Sequence, residues 1–129
     1  MVKRVITLPN ALKFPYSPAI RAGDYIFVSG QVGHIDAQGK EIKEIEAQVR
    51  QCLDNMKRVL TAASSSLDDV VKVTVFLRQE KDFAKMNEVY ESYFSKDPPA
   101  RSTVIAGLPL AGMLVEMECI AYSPQNKSI

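Results

Sequence analysis

The chain has 129 residues, of which 47% are hydrophobic and 24% charged, and its formal net charge at pH 7 is +1. This balance is typical of one globular domain that buries a core without a disulfide or a metal, and the small net charge excludes general electrostatic binding to nucleic acid. No apolar run is long enough to span a membrane. We therefore expect one domain over 1–129, with a loose polar tail at 123–129.

Cysteine and histidine are too scarce to form a metal site. Cys52, Cys119 and His34 are the only residues of these two types, and they cannot supply the four ligands of a zinc site. Both cysteines fall on apolar faces of predicted elements, which favours reduced thiols. We predict a cytoplasmic protein without a metal. A mitochondrial location is the alternative, because no acidic residue precedes Asp24.

The first half of the chain predicts a strand, a turn and a helix. Residues 24–33 (DYIFVSGQVG) have strand composition, and the turn signal DAQGK at 36–40 predicts a hairpin partner beside it. Between 44 and 63 the apolar residues recur at the three- and four-residue spacing of an amphipathic helix. They are Ile45, Val49, Cys52, Leu53, Met56, Leu60 and Ala63.

The second half predicts three strands and a second helix. Residues 70–78 alternate, with Val71, Val73, Val75 and Leu77 assigned to the core face. Asp82 is the expected N-cap of a second helix, which ends before two prolines, at 98 and 99. Its apolar stripe consists of Phe83, Met86, Tyr90, Tyr93 and Phe94. Strands at 102–108 and 113–122 follow, joined by a turn around Pro109 and Gly112.

The resulting order, β-β-α-β-α-β-β, predicts an α+β domain with a mixed sheet and two helices on one face. Such an arrangement leaves the other sheet face uncovered. Parts of that face are too apolar to stay in water, so the pattern predicts an oligomer.

Two features could carry chemistry. In LVEMECIA (114–121), Glu116 and Glu118 share a face with Leu114 and Ile120, either as solubilising charges or as the lining of a cleft where a carboxylate holds water. Arg101 stands at the start of an apolar run, either in a surface ion pair or as a carboxylate-binding group. The residue pattern alone does not decide between these alternatives.

Six segments, taken in order, resemble the RidA (YjgF) family of reactive intermediate deaminases. They are PYSPAIRAGDYIFVSGQVG, QVRQCLDNMKRVLTAA, SLDDVVKVTVFL, DFAKMNEVYESYF, PPARSTV and LVEMECIA. The resemblance implies a chorismate-mutase-like fold, a homotrimer, and sites in the clefts between subunits. It also implies hydrolysis of 2-iminobutanoate or 2-iminopropanoate, the imines related to 2-aminoacrylate, to a 2-keto acid and ammonia without a cofactor.

The resemblance also assigns roles to seven residues. Arg101 would bind the substrate carboxylate and Glu116 would orient the attacking water, which makes these two the expected catalytic pair. The other substrate-binding positions are Tyr16, Ser29, Gly30, Asn87 and Thr103. The expected partners are small 2-imino and 2-keto acids and two further copies of the chain. The alternatives are an endoribonuclease that inhibits translation, and a trimer that binds metabolites or acts as a chaperone without turnover.

Five positions depart from the family pattern. Thr103 replaces a common cysteine, and Phe14 and Pro18 replace a glycine and a glutamine beside Tyr16. Ser64 stands where glycine often ends the first helix, which predicts a weaker C-cap. Gly112 replaces a common alanine.

Overall fold

The computed structural model describes residues 2–9 and 13–125, so residues 126–129 of the predicted loose tail lie outside the described residues. Ser123, at the start of that tail, is buried, and its N–H donates to the Asp24 carbonyl (2.7 Å). The strands are β1 (Arg4–Ile6), β2 (Ala19–Ala22), β3 (Tyr25–Val32), β4 (Val70–Leu77), β5 (Ala100–Ile105) and β6 (Val115–Tyr122). The helices are α1 (Ile45–Ala62) and α2 (Phe83–Tyr93). Short 3₁₀ turns at Leu67–Asp69 and Glu80–Asp82 precede β4 and α2.

The strands form one mixed sheet in the order β1-β2-β3-β6-β4-β5. Neighbouring strands are antiparallel except β4 and β5, which run parallel because α2 carries the chain back across the sheet between them. The predicted α+β class is confirmed, and the described residues add one strand, β1, before the predicted set. No helix in this part of the chain is both long and apolar enough to cross a membrane.

The predicted hairpin lies on the other side of its strand. β3 pairs with β2 through a turn at Gly23, whose φ of 61° suits glycine. The DAQGK segment forms a local turn instead, in which Asp36 Oδ1 accepts hydrogen bonds from the backbone N–H groups of Gln38 and Lys40. One isolated bridge, Ile35 to Glu41, accompanies it. The aspartate side chain satisfies the turn, so no strand follows it.

One face of the sheet and the two helices enclose the core. The predicted α1 stripe is buried throughout, and both cysteines are buried as free thiols. Val73, Val75 and Leu77 are fully buried, as predicted, but Val71 is 44% exposed. The pairing of β4 with β6 shifts by one residue between Val70 and Lys72, and this shift turns Val71 away from the core.

The second helix differs in detail from its prediction. Met86, Tyr90 and Phe94 are buried, whereas Phe83 is 44% exposed. Asp82 holds the N-cap position but makes no side-chain capping hydrogen bond, because the preceding 3₁₀ turn places it in helical geometry.

Aromatic and aliphatic side chains cover the sheet face opposite the helices. Tyr25, Phe27, Val104 and Tyr122 are each 45–46% exposed. This observation agrees with the apolar second face expected from the sequence.

Ser64 ends α1 in the conformation that favours glycine. Its φ is 60°, and the N–H groups of Ser64 and Ser65 bond to the carbonyls of Thr61 and Leu60 in a Schellman arrangement. A side chain in this region costs about 1 kcal/mol. We therefore expect Ser64→Gly to raise the melting temperature by about 2–4 °C in calorimetry. Ser66→Gly, at an extended residue, should lower it slightly, and an equal gain from both substitutions would contradict this account.

Gln48 holds two loops against α1. Its fully buried side chain donates from Nε2 to the carbonyls of Ile42 (2.8 Å) and Gly112 (2.9 Å) and accepts from the Leu114 N–H (2.9 Å). Gly33 lies so close to the Gln48 backbone that any Cβ there would overlap it. The start of β6 is thereby fixed relative to the end of β3.

Candidate active site

Glu116 lies directly over Gly30. The pairing of β3 with β6 shifts between Val28 and Gln31, so the chain at Ser29 and Gly30 bulges. A Cβ built on Gly30 would overlap the Oε2 atom of Glu116. Glycine at position 30 therefore provides the space that this carboxylate occupies.

The environment of Glu116 raises its pKa. Partial burial disfavours the charged form most, and repulsion by the Glu118 carboxylate on the same sheet face adds to it. Glu116 is consequently a stronger base than an ordinary surface glutamate once it is ionised.

Tyr16 is brought to the same groove by hydrogen bonds from Ser29. The Ser29 N–H donates to the Pro18 carbonyl (3.0 Å) and its hydroxyl donates to the Ser17 carbonyl (2.6 Å). Phe14 stacks on Tyr16 with a centroid distance of 5.3 Å and an interplanar angle of 15°. The departure at Phe14 thus provides a ring that orients Tyr16, and Ser29 ties the loop to the sheet.

These residues line an open groove of about 660 Å³. Its lining includes Tyr16, Ser29, Gly30, His34 and Glu116, with Leu110 and Met113 on the opposite wall. Arg78 holds that wall, because its guanidinium donates to the carbonyls of Leu108 (3.2 Å), Leu110 (2.8 Å) and Met113 (2.6 Å). A Cβ at Gly112 would meet His34 only at an ordinary 3.9 Å, so alanine fits there too.

Arg101 lies elsewhere, at the sheet edge beside α2. Its guanidinium carbon is 4.7 Å from the centroid of the Tyr90 ring and 5.9 Å from that of Phe83. One terminal nitrogen is 3.9 Å from the Met86 sulfur, a weak acceptor. The side chain is therefore packed against α2 rather than extended into solvent as the end of a strand.

Three buried polar atoms on this side of the sheet lack a hydrogen-bond partner within the described residues. They are Asn87 Oδ1, Tyr90 Oη and Thr103 Oγ1. Asn87, Tyr90 and Arg101 line a common groove of about 350 Å³. Unsatisfied acceptors beside a guanidinium are characteristic of a surface that completes its hydrogen bonds with another molecule.

The sheet register places Arg101 and Glu116 on opposite faces. Val73 of β4 pairs with Arg101 and is buried under the helices, whereas Phe76 pairs with Glu116 and faces away from them. Residues paired across adjacent strands share a face. One chain therefore carries two separate groups, a carboxylate groove with Tyr16 and Glu116, and a guanidinium groove with Asn87 and Arg101.

The sequence missed several residues that shape these two grooves. Tyr90 and Met86 were identified only as part of a helix stripe, although they hold Arg101. Arg78 had no assigned role. Within residues 2–9 and 13–125, no cluster of histidine, cysteine, aspartate or glutamate is arranged to hold a metal ion.

Comparison with known proteins identifies relatives across almost the whole chain. The family model described as Endoribonuclease L-PSP matches residues 8–123. A RutC family protein of Pyrococcus horikoshii is 48% identical over 125 residues, covering 94% of this chain and 98% of the relative. Reactive Intermediate Deaminase A of Arabidopsis thaliana, a chloroplastic protein, is 44% identical over 109 residues, which are 83% of this chain and 58% of the relative.

The fold is shared with solved structures. The YjgF gene product of E. coli superimposes with a TM-score of 0.85 at 35% sequence identity, covering 92% of this chain and 98% of that one. Similarity of this extent in both sequence and structure covers both grooves.

Proposed function

Because the chain belongs to the RidA/YjgF family, we propose that it is a deaminase that hydrolyses reactive 2-imino acids, and the enamines from which they form, to 2-keto acids and ammonia. The expected substrates are 2-iminobutanoate and 2-iminopropanoate. Arg101 binds the substrate carboxylate, and Glu116 orients the attacking water and accepts its proton. No cofactor takes part in this scheme.

One observation carries the proposal. A guanidinium that contacts two aromatic rings and a thioether lies beside buried polar atoms that have no hydrogen-bond partner among the residues the structure describes. An α-imino acid offers a carboxylate that the guanidinium can bind through two parallel hydrogen bonds. In this proposal the Asn87 and Thr103 side chains complete the contacts to substrate.

The reaction needs a group that carries protons rather than one that strongly activates the attacking water, since the imine carbon is already electrophilic. Glu116 accepts a proton from water as the oxygen bonds to C2, and it returns the proton to the nitrogen. In the resulting carbinolamine the hydroxyl proton passes to the amino nitrogen, the C–N bond breaks, and the carbonyl forms as ammonia leaves. Imine and water thereby give 2-keto acid and ammonia.

The two grooves lie on opposite faces of the sheet in one chain, so a site that uses both requires two copies of the chain. We place the active site between subunits, with Arg101 from one chain and Tyr16, Gly30 and Glu116 from the next. The apolar face around Phe27 and Tyr122 is then covered by neighbouring subunits. A cytoplasmic location accompanies this proposal as a prediction.

A coupled assay tests the function. A dehydratase that releases 2-aminoacrylate from serine is mixed with semicarbazide, which traps the imine, and pyruvate is measured with and without this protein. We expect the protein to speed pyruvate formation and to lower semicarbazone formation. A ratio of pyruvate to semicarbazone that the protein does not change would refute the deaminase assignment. Cleavage of a generic RNA at a rate comparable to pyruvate formation would favour the endoribonuclease alternative.

We predict a homotrimer in solution. Sedimentation at micromolar concentration should give a mass near three times the 14.3 kDa of one chain. Phe27→Lys, which adds a charge to the exposed apolar face, should shift the equilibrium towards smaller species, whereas Arg50→Lys on the helix surface should not. A stable monomer of the unmodified chain would contradict both the trimer and the shared site.

Two inactive variants should restore activity when their subunits exchange. Arg101→Ala and Glu116→Gln each inactivate every site of their own trimers. In a mixed trimer, one interface of the three joins an intact Arg101 to an intact Glu116, so random 1:1 mixing should recover about a quarter of the wild-type rate. The measurement is deaminase activity after co-refolding. Activity that stays at the level of the separate variants would place both residues in one chain.

A further inference from the structure

The Arg101 guanidinium lies over the ring of Tyr90. The guanidinium carbon stands 4.7 Å from the ring centroid, inside the roughly 6 Å range of cation–π attraction. Phe83 is farther away, at 5.9 Å, and its ring is 44% exposed. Tyr90 is only 6% exposed, so its ring is the more rigid of the two contacts.

The position of Tyr90 is itself fixed by packing. Its ring lies 4.8 Å from that of Phe94, and both belong to the hydrophobic core of the domain. Burial raises its pKa to about 12, although the Arg101 charge opposes this rise, so the phenol stays neutral at physiological pH. The contact with Arg101 is therefore one between a cation and an uncharged ring.

A guanidinium with one face on a ring keeps its N–H groups free at the edge. The five N–H donors point outward in the plane of the group, so a ring that lies over the central carbon does not use them as hydrogen-bond donors. The remaining hydrogen-bond contact, to Met86 sulfur at 3.9 Å, is too weak to compete with a carboxylate.

The geometry points to Tyr90 as a positioning residue, whose ring face aligns the Arg101 fork for a planar carboxylate. This inference rests on the proposed function, in which Arg101 is the carboxylate-binding group. Tyr90 acts through Arg101. This positioning role predicts that the site prefers a 2-keto acid over the uncharged amide of the same acid only while an aromatic ring occupies position 90.

The test measures the affinity of the intact protein for 2-oxobutanoate and for 2-oxobutanamide by titration calorimetry. Tyr90→Leu removes the ring, and Tyr90→Phe keeps it. Val89→Ala, a truncation of the neighbouring buried residue on α2, controls for loosening of the helix. Tyr90→Leu should weaken acid binding about tenfold and leave amide binding within about twofold. Tyr90→Phe and Val89→Ala should keep the wild-type ratio.

Every outcome of these titrations either supports or overturns the positioning role of Tyr90. Equal losses for acid and amide, a loss in Val89→Ala as large as in Tyr90→Leu, or a loss in Tyr90→Phe would overturn the inference. Arg101→Ala separates it from the proposed function. If Arg101→Ala retains the acid preference, the carboxylate-binding role fails. If only Tyr90→Leu retains it, that role stands and the positioning by Tyr90 fails.

Discussion

Replacing Arg101 by alanine is expected to lower kcat/KM for 2-imino acids by about a thousandfold, because the substrate carboxylate loses both its charge partner and its orientation. Arg101→Lys keeps the charge but not the two-pronged geometry, so it should still cost about a hundredfold. The measurement is steady-state kinetics in the dehydratase-coupled assay.

Arg50→Ala is the matched control, since it removes the same charge from an exposed position of α1. It should leave the kinetics unchanged. Arg101 also packs on Met86, so the mass and circular dichroism of each variant must be compared with those of the parent chain. A trimeric Arg101→Ala protein with near-normal turnover would remove the guanidinium groove from the mechanism.

Glu116→Gln should lower kcat by about a hundredfold or more while binding of a 2-keto acid changes little. Glutamine keeps the shape of the side chain and can hydrogen-bond a water, but it cannot carry the proton. The acidic limb of the wild-type pH profile should lie above the usual glutamate pKa, because burial and Glu118 both raise the pKa of Glu116. Activity is lost as the pH falls through that raised value.

Although Glu116→Gln lowers activity, it should raise the thermal stability of the protein at neutral pH. A carboxyl whose pKa is raised by folding disfavours the folded state when ionised, so Glu116→Gln should raise the melting temperature at pH 7 and not at pH 4. Glu118→Gln is the control: it should move the acidic limb to lower pH with a small effect on kcat. A Glu116→Gln enzyme with normal kcat would falsify the role of this carboxylate.

Periodicity was sufficient to predict much of the fold. The α1 stripe and the alternation of β6 are both set by burial against one core, and burial on one side imposes a simple period. The pattern also separated the carboxylate face of β6 from its core face. Strand register was not accessible in this way, because the shift at Val71 depends on pairing with a distant strand.

The sequence predicted which residues belong to the candidate site but not how the fold arranges them. The resemblance assigned roles to Arg101 and Glu116, but the face that the Arg101 side chain takes depends on the parallel pairing of β4 with β5. The contacts around Arg101 come from α2, the element that precedes β5, and the spacing within either element carries no signal for a ring 4.7 Å from a guanidinium. Gln48 was missed for a similar reason, since its partners lie in two separate loops.

The close packing of Gly30 against Glu116 couples two positions that are 86 residues apart, so that a substitution at one position constrains the residue at the other. A lineage that acquires even alanine at position 30 must displace or shorten the side chain at position 116, whereas a lineage that loses the carboxylate is released from the need for glycine. The two sites should therefore change together during divergence. Among relatives of this chain, a residue larger than glycine at the position of Gly30 is expected to accompany a displaced or shorter side chain at the position of Glu116.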